Sequence, residues 1–413
     1  MSQTLPQSAL LLAAVVLLGL VTAGAVVATD DTVTAVDGTT SDIATVPNTT
    51  NYAFPAANSP SRQGYVRSNL DVAAAVATDV EQLQGQRKRL TFEQRYAAKN
   101  TSEERLDVVR VTIARTEARI DALDSRQETL FRAYTAGSLS AETFLRRLAR
   151  LDASAAESRA LLERINNRVR SDIDTSLPVS TQTKLAALRG ELVTIPGPLS
   201  AEIAGTLRGE ASPVTVYTQG AGNGIVLATV DESEFLRQAT LRSEYTPGVP
   251  NQFAQTDEEP ISVAFDRARQ LYPWVSNNLQ SINRIAGFGD SDVYLIALSH
   301  PHGDLRSYVH GGSTDVFREE HTQRPDAIPV QLTASNVNDT LEVRVNATAE
   351  TGPMRVTVSR GTTNVPTDAT IRVNGEYVGS TGSDGALWAI RPSGSLRVNA
   401  TTTEGTSVVV SRP

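Results

Sequence analysis

The side chains best suited to chemistry lie in one stretch, DVYLIALSHPHGDLRSYVHGG, residues 292–312. An apolar run from Val293 to Ser299 delivers His300, His302 and Asp304 to a turn containing Pro301 and Gly303. Histidines two apart on a strand project to the same side, so such a pair can grip one metal ion, with a nearby carboxylate as a third ligand. All four histidines of the chain, His300, His302, His310 and His321, fall in this region, close to Glu319 and Glu320. Together they would support metal binding or metal-dependent hydrolysis.

The same residues resemble the His-x-His-x-Asp loop of metallo-β-lactamase hydrolases, which implies a zinc site at His300, His302 and Asp304. The resemblance covers five residues. That family continues with His directly after the Asp, where this chain has Leu305, and it needs further ligands downstream, whereas no histidine follows His321. The expectation is therefore a β-hairpin whose turn is made by Pro301 and Gly303 and capped by Asp304, with no catalytic residue and no cofactor. A metal-binding or hydrolase domain centred on His300, His302 and Asp304 stays as the alternative. A Gly-rich stretch at residues 220–224 invites a phosphate cradle, but a nucleotide loop runs from strand to helix and here a second strand follows. A hairpin is the better reading there.

The 413 residues carry a net charge of −8 and no cysteine, which removes disulfides, cysteine-ligated zinc and a thiol nucleophile. The acidic balance argues against a nucleic-acid partner. Lysine occurs only at Lys88, Lys99 and Lys184. An acidic, lysine-poor composition rich in Thr, Val, Ala and Asp resembles that of proteins from salt-loving archaea.

The elements that position these residues begin with Ala9 to Ala28, an uncharged apolar run. As a helix it spans about 30 Å, enough for a retained membrane anchor; a cleaved signal peptide is the other reading. Either places the remainder outside the cytoplasm. Residues 1–28 are this segment, and 29–64 read as a disordered linker dense in Thr, Ser, Asn and Pro. Glycosylation triplets occur at Asn48, Asn100, Asn338, Asn346 and Asn399.

Residues 65–177 read as an antiparallel helical hairpin or coiled-coil bundle. Leu106, Val109, Ile113, Thr116, Ile120, Leu123, Gln127, Leu130 and Tyr134 alternate spacings of three and four, as do Phe144, Leu148, Leu151, Ala155, Ser158, Leu162, Ile165 and Val169. Thr101 and Glu104 form a capping box, and Gly137 separates the two helices. An earlier helix, from about Arg67 to Ala98, carries Leu70, Ala73, Ala77, Val80, Leu83 and Leu90 as its apolar series.

Residues 178–326 read as an α+β domain, with a helical stretch at 261–285 split by Pro273 and strands at 293–299, 305–310 and 314–319. The segment GDLRSYVHGGSTDVFRE resembles the closing hairpin of PepSY modules, which implies a regulatory or binding role. Residues 327–413 give seven short alternating runs, a β-sandwich. Within it, IRVNGEYVGSTGSDGALWAI resembles carboxypeptidase-regulatory and PEGA-like surface modules, which carry no catalytic residues. The order of parts resembles exported multidomain proteins of haloarchaea of unknown function. The fold class expected is multidomain α+β. The function expected is a non-enzymatic cell-surface or secreted protein, in which a helical stalk presents an α+β and a β-sandwich module to a surface protein partner. Self-association through the helical region is left open.

Overall fold

The computed structural model describes residues 51–55 and 61–412, apart from 196, 223 and 362. The apolar run Ala9 to Ala28 and the triplet at Asn48 lie outside the described residues. Among the described residues no helix is long and apolar enough to cross a membrane.

The first described element corrects the expected boundaries. Ser61–Ser68 is a strand, β1, although the sequence places a linker and then a helix there. Five helices follow: α1 (Val72–Ala97), α2 (Ser102–Thr135), α3 (Ala141–Arg170), α4 (Val179–Leu192) and α5 (Pro198–Arg208). The start of α2 is the capping box foreseen, with Thr101 and Glu104 bonding each other's backbone amides. Gly137, at φ +76, turns the chain between α2 and α3, and Ser140 caps α3. Both alternating seams are buried, from Val109 to Tyr134 and from Phe144 to Val169, while Leu106 at the head of the first is half-buried.

The series assigned to α1 is not. Leu70, Val80, Leu83 and Leu90 are exposed, and the buried face consists of Ala74, Thr78, Glu81, Gly85, Phe92 and Tyr96. An ion network fixes this orientation. The Glu81 carboxylate accepts from Arg119 at 3.0 Å, Arg150 at 3.0 Å and Ser154 at 2.8 Å. A Cβ on Gly85 would lie 1.8 Å from the Glu157 carboxylate, so the glycine leaves room for that side chain between α1 and α3.

After α5 come β2 (Val214–Ala221), β3 (Gly224–Val230) and β4 (Phe235–Leu241). Residues 221 and 224 are paired, so β2 and β3 are joined by a two-residue hairpin turn beginning at Gly222, φ +54. The helical stretch expected at 261–285 is split at Pro273, as α6 (Pro260–Leu271) and α7 (Pro273–Asn277), but its last part is a strand, β5 (Ser281–Gly287). Three strands complete the set: β6 (Val293–His300), β7 (Gly303–His310) and β8 (Asp315–Gln323). The sheet is antiparallel and eight-stranded, in the order β1-β2-β3-β4-β8-β7-β6-β5.

The helices do not project as a stalk; they form a layer on this sheet. Leu130, Tyr134, Phe144, Leu148 and Ile203 share one core with Val216, Ile225 and Leu227. The opposite face is covered by α6 and α7, which bury Ala264, Ala268, Tyr272 and Val275 against Val226, Ile296 and Leu305. Eight further strands build the C-terminal module: β9 (Leu332–Val337), β10 (Leu341–Ala347), β11 (Pro353–Arg360), β12 (Ala369–Val373), β13 (Glu376–Ser380), β14 (Ala386–Ile390), β15 (Leu396–Thr402) and β16 (Ser407–Arg412). They form two four-stranded sheets around one core that includes Val343, Val356, Ile371 and Val398. One of the seven expected runs, ATIRVNGEYVG at 369–379, is two strands, β12 and β13, turned by Asn374 and Gly375 at φ +51 and +91. Ile390 of this sandwich packs on Tyr217, Ala228 and Phe235 of the large sheet.

Candidate functional site

Strand register separates the three residues singled out as metal ligands. Ser299 pairs with Asp304, and His300 with Gly303, across the β6–β7 hairpin. Neighbours along a strand face opposite sides. Asp304 therefore stands with Ser299, accepting from its hydroxyl and from Asn283 at 3.1 Å. His300 and His302 are buried together elsewhere: the Trp274 ring stacks on His302 at 4.3 Å and meets His300 edge-on at 5.6 Å. Burial, then the neighbouring His321 and His302, push the His300 imidazole down to about 3, which keeps it neutral. His310 accepts from the Gly312 amide at 3.0 Å, beside Tyr245. The turn follows the hairpin reading. Gly303 sits at φ +147, where a Cβ would lie 2.2 Å from the Thr322 carbonyl oxygen. Among the described residues no three His, Cys, Asp or Glu side chains are grouped to hold a metal ion.

His321 belongs to a buried cluster that the sequence did not reveal. Arg237 on β4 and Glu319 on β8 form an ion pair with both side chains fully buried, and the His321 ring nitrogen Nε2 lies 3.0 Å from the same carboxylate. The other Glu319 oxygen accepts from the Tyr52 and Ala53 amides at 2.7 and 3.0 Å and from the Tyr272 hydroxyl at 2.7 Å. Arg237 donates to the Ala53 carbonyl at 2.6 Å and to Thr351 of the sandwich at 2.9 Å. Burial alone would raise the Glu319 carboxyl, but His321 and Arg237 outweigh it and hold it at about 2. The segment 51–55, expected to be disordered, is thus pinned by a charge pair that needs its backbone groups.

The opposite face of the sheet forms the floor of a cleft of about 970 Å³ beneath α3 and α4. Register lines up one row of side chains across five strands: Gln238, Glu320, Arg306, Ala297 and Arg284. With strands about 4.8 Å apart, the row is roughly 19 Å long. Arg159 and Glu163, one turn apart on α3, and Arg189 on α4 look onto it from the helical layer. Glu320 is already paired with Arg318. Arg159, Arg189, Arg284 and Arg306 form no ion pair among the described residues, and Arg159 donates only to the Leu192 carbonyl at 2.7 Å. Among the described residues, Gln238 Oε1 and Arg189 Nε are buried at the cleft without a hydrogen-bond partner. Burial lowers the Arg159 guanidinium from its ordinary value. The sequence offered no signal for this site, because its members come from seven elements and are collected only by register and packing.

The other glycosylation triplets are placed as follows. Asn100 is exposed between α1 and α2. Asn338 is exposed, but its amide donates to the Ser407 carbonyl at 3.3 Å. Asn346 and Asn399 are half-buried on strands of the sandwich.

Fold and cleft together define a multidomain α+β protein with a helical layer, a broad antiparallel sheet and a C-terminal β-sandwich. The chain belongs to the family described as a domain of unknown function (DUF7096), whose model matches residues 4–212, just over half of its length. Residues 216–329 match a family of unknown function (DUF7094), and residues 332–410 match the archaeal fibronectin-III type-like domain. These families cover the regions where the sequence suggested PepSY-like and carboxypeptidase-regulatory or PEGA-like modules. No curated protein and no solved structure matches the chain. The family boundaries cut through one sheet: β1, from the first matched region, pairs along its whole length with β2. Such a composition is compatible with a non-enzymatic interaction role.

Proposed function

We propose that this is an exported, non-enzymatic interaction protein that binds an anionic, carboxylate-bearing ligand in the cleft between helices and sheet. The observation that carries the reading is the set Arg159, Arg189, Arg284 and Arg306, four guanidiniums that form no ion pair among the described residues, around one cleft of a chain whose net charge is −8. Guanidinium groups bind carboxylates through paired, charge-assisted hydrogen bonds. The unpartnered Gln238 and Arg189 atoms are polar groups that a bound ligand would satisfy. Export rests on the apolar run Ala9 to Ala28, and the β-sandwich supplies a second surface for assembly at the cell exterior.

Titration calorimetry of the purified protein against citrate, succinate, acetate and sulfate tests the cleft. Binding of the polyvalent carboxylates is expected, weakened about tenfold or more by Arg189→Ala or Arg306→Ala, since charge-assisted hydrogen bonds contribute about 1.5–3 kcal/mol each. No binding by any of these anions, or binding that neither variant weakens, would overturn the reading. Protease treatment of intact cells tests the location, and a chain that stays uncleaved until lysis would contradict it.

A further inference from the structure

The apolar side of α1 faces away from its own protein. Val72, Val76, Val80, Leu83 and Leu90 are between 41% and 69% exposed. At 3.6 residues per turn they lie in one stripe about 80° wide, directly opposite the buried residues Ala74, Thr78, Gly85 and Phe92. A stripe of that kind on a monomer marks a surface for another chain.

The spacing of the stripe says which chain. Val76 and Leu90 stand seven residues either side of Leu83, and Asp79 and Arg87 stand four residues either side of it. Asp79 and Arg87 are exposed and have no ion-pair partner among the described residues. The geometry points to an antiparallel homodimer in which two α1 helices cross on a two-fold axis at Leu83. That axis sets Leu83 on its own copy, Val76 on the partner's Leu90, and Asp79 beside the partner's Arg87. A parallel arrangement would instead put Asp79 against Asp79 and Arg87 against Arg87, and like charges repel at such spacing. A seven-residue repeat of apolar contacts is the seam that two packed helices share. One surface therefore supplies the apolar contact, the charge complementarity and the self-symmetry that a two-fold interface requires. The interface lies apart from the cleft and does not depend on its ligand.

The chain has no cysteine, so introduced thiols report the register directly. Under mild oxidation Leu83→Cys is expected to cross-link with itself. Val76→Cys alone is not, because in the antiparallel pair its two copies lie about 21 Å apart along the axis. An equal mixture of Val76→Cys and Leu90→Cys is expected to cross-link. Sedimentation velocity of the unmodified protein should show a dimer, and Leu83→Asp should raise its dissociation constant at least tenfold while leaving helix content unchanged. Asp79→Arg and Arg87→Asp should each weaken the dimer, and the double variant should restore it. A monomer at all concentrations up to about 100 µM, or a dimer indifferent to Leu83→Asp, would overturn the inference. Self-cross-linking of Val76→Cys as efficient as that of Leu83→Cys would do the same.

Discussion

Asp152 sits on α3 behind Arg159, buried and without a hydrogen bond among the described residues. Burial is the main influence on its carboxyl and raises it to about 6, against the opposing pull of Arg159 and Arg318. A folded-state value above the unfolded one means that the folded protein holds its proton more tightly. Stability therefore falls as pH rises from about 4 through 6, and the full penalty, about 3 kcal/mol at 1.4 kcal/mol per unit, remains at neutral pH. Asp152→Asn should stabilise the protein by about that amount at pH 8 and by little below pH 4, measured by urea unfolding at the two pH values. His300 has the opposite sign. Its folded value lies below the unfolded one, so its contribution is present above pH 6.5 and is lost as pH falls toward 3. Neither environment was legible in the sequence, since both depend on what packs over the side chain. The heptad positions of α2 and α3 were legible, because a seam buried inside its own chain has to be apolar at fixed intervals.

Elements were easier to find than to orient. The β6–β7 hairpin was readable from Pro301 and Gly303, yet the period of two along its strands sends His300 and Asp304 to opposite faces, which only the register discloses. Gly303 is the point where this hairpin has no freedom. Any side chain there meets the Thr322 carbonyl at a φ that L-residues avoid, so Gly303→Ala should cost about 2 kcal/mol or more in denaturant unfolding. The contact lies in backbone, which cannot swing aside. For α1 the sequence picked out part of the apolar stripe, Val80, Leu83 and Leu90, without Val72 and Val76, and assigned it to the core. Periodicity fixes where a stripe lies on a helix but not what covers it, and here the Glu81 network holds the helix with the stripe outward. The helices α4 and α5 lie between the boundary at Pro178 and the first expected strand, where no element was read, because such short segments give little periodic signal.

At the scale of the whole molecule, the expected chain of modules is a set of layers on one sheet. The domain divisions drawn at 64 and 177 rest on changes of composition, and composition does not see β1 returning to an edge laid down after α5. A chain beginning at Leu70 should show what that return contributes. It would leave the edge of β2 unpaired and strip the Arg237–Glu319 pair of the backbone groups it bonds at Tyr52 and Ala53. Partly unpaired buried charge costs about 3–5 kcal/mol, so this chain is expected to melt well below the full protein and to aggregate on heating, read by calorimetry and light scattering. The same long-range closure sets a clock during synthesis. β1 is made first, but its only partner among the described strands follows after all five helices. At about 5–20 residues per second it waits on the order of ten seconds or more as an open strand edge. The fold thus leaves its most exposed β-edge unguarded during translation, when a helper that shields nascent strands would matter most.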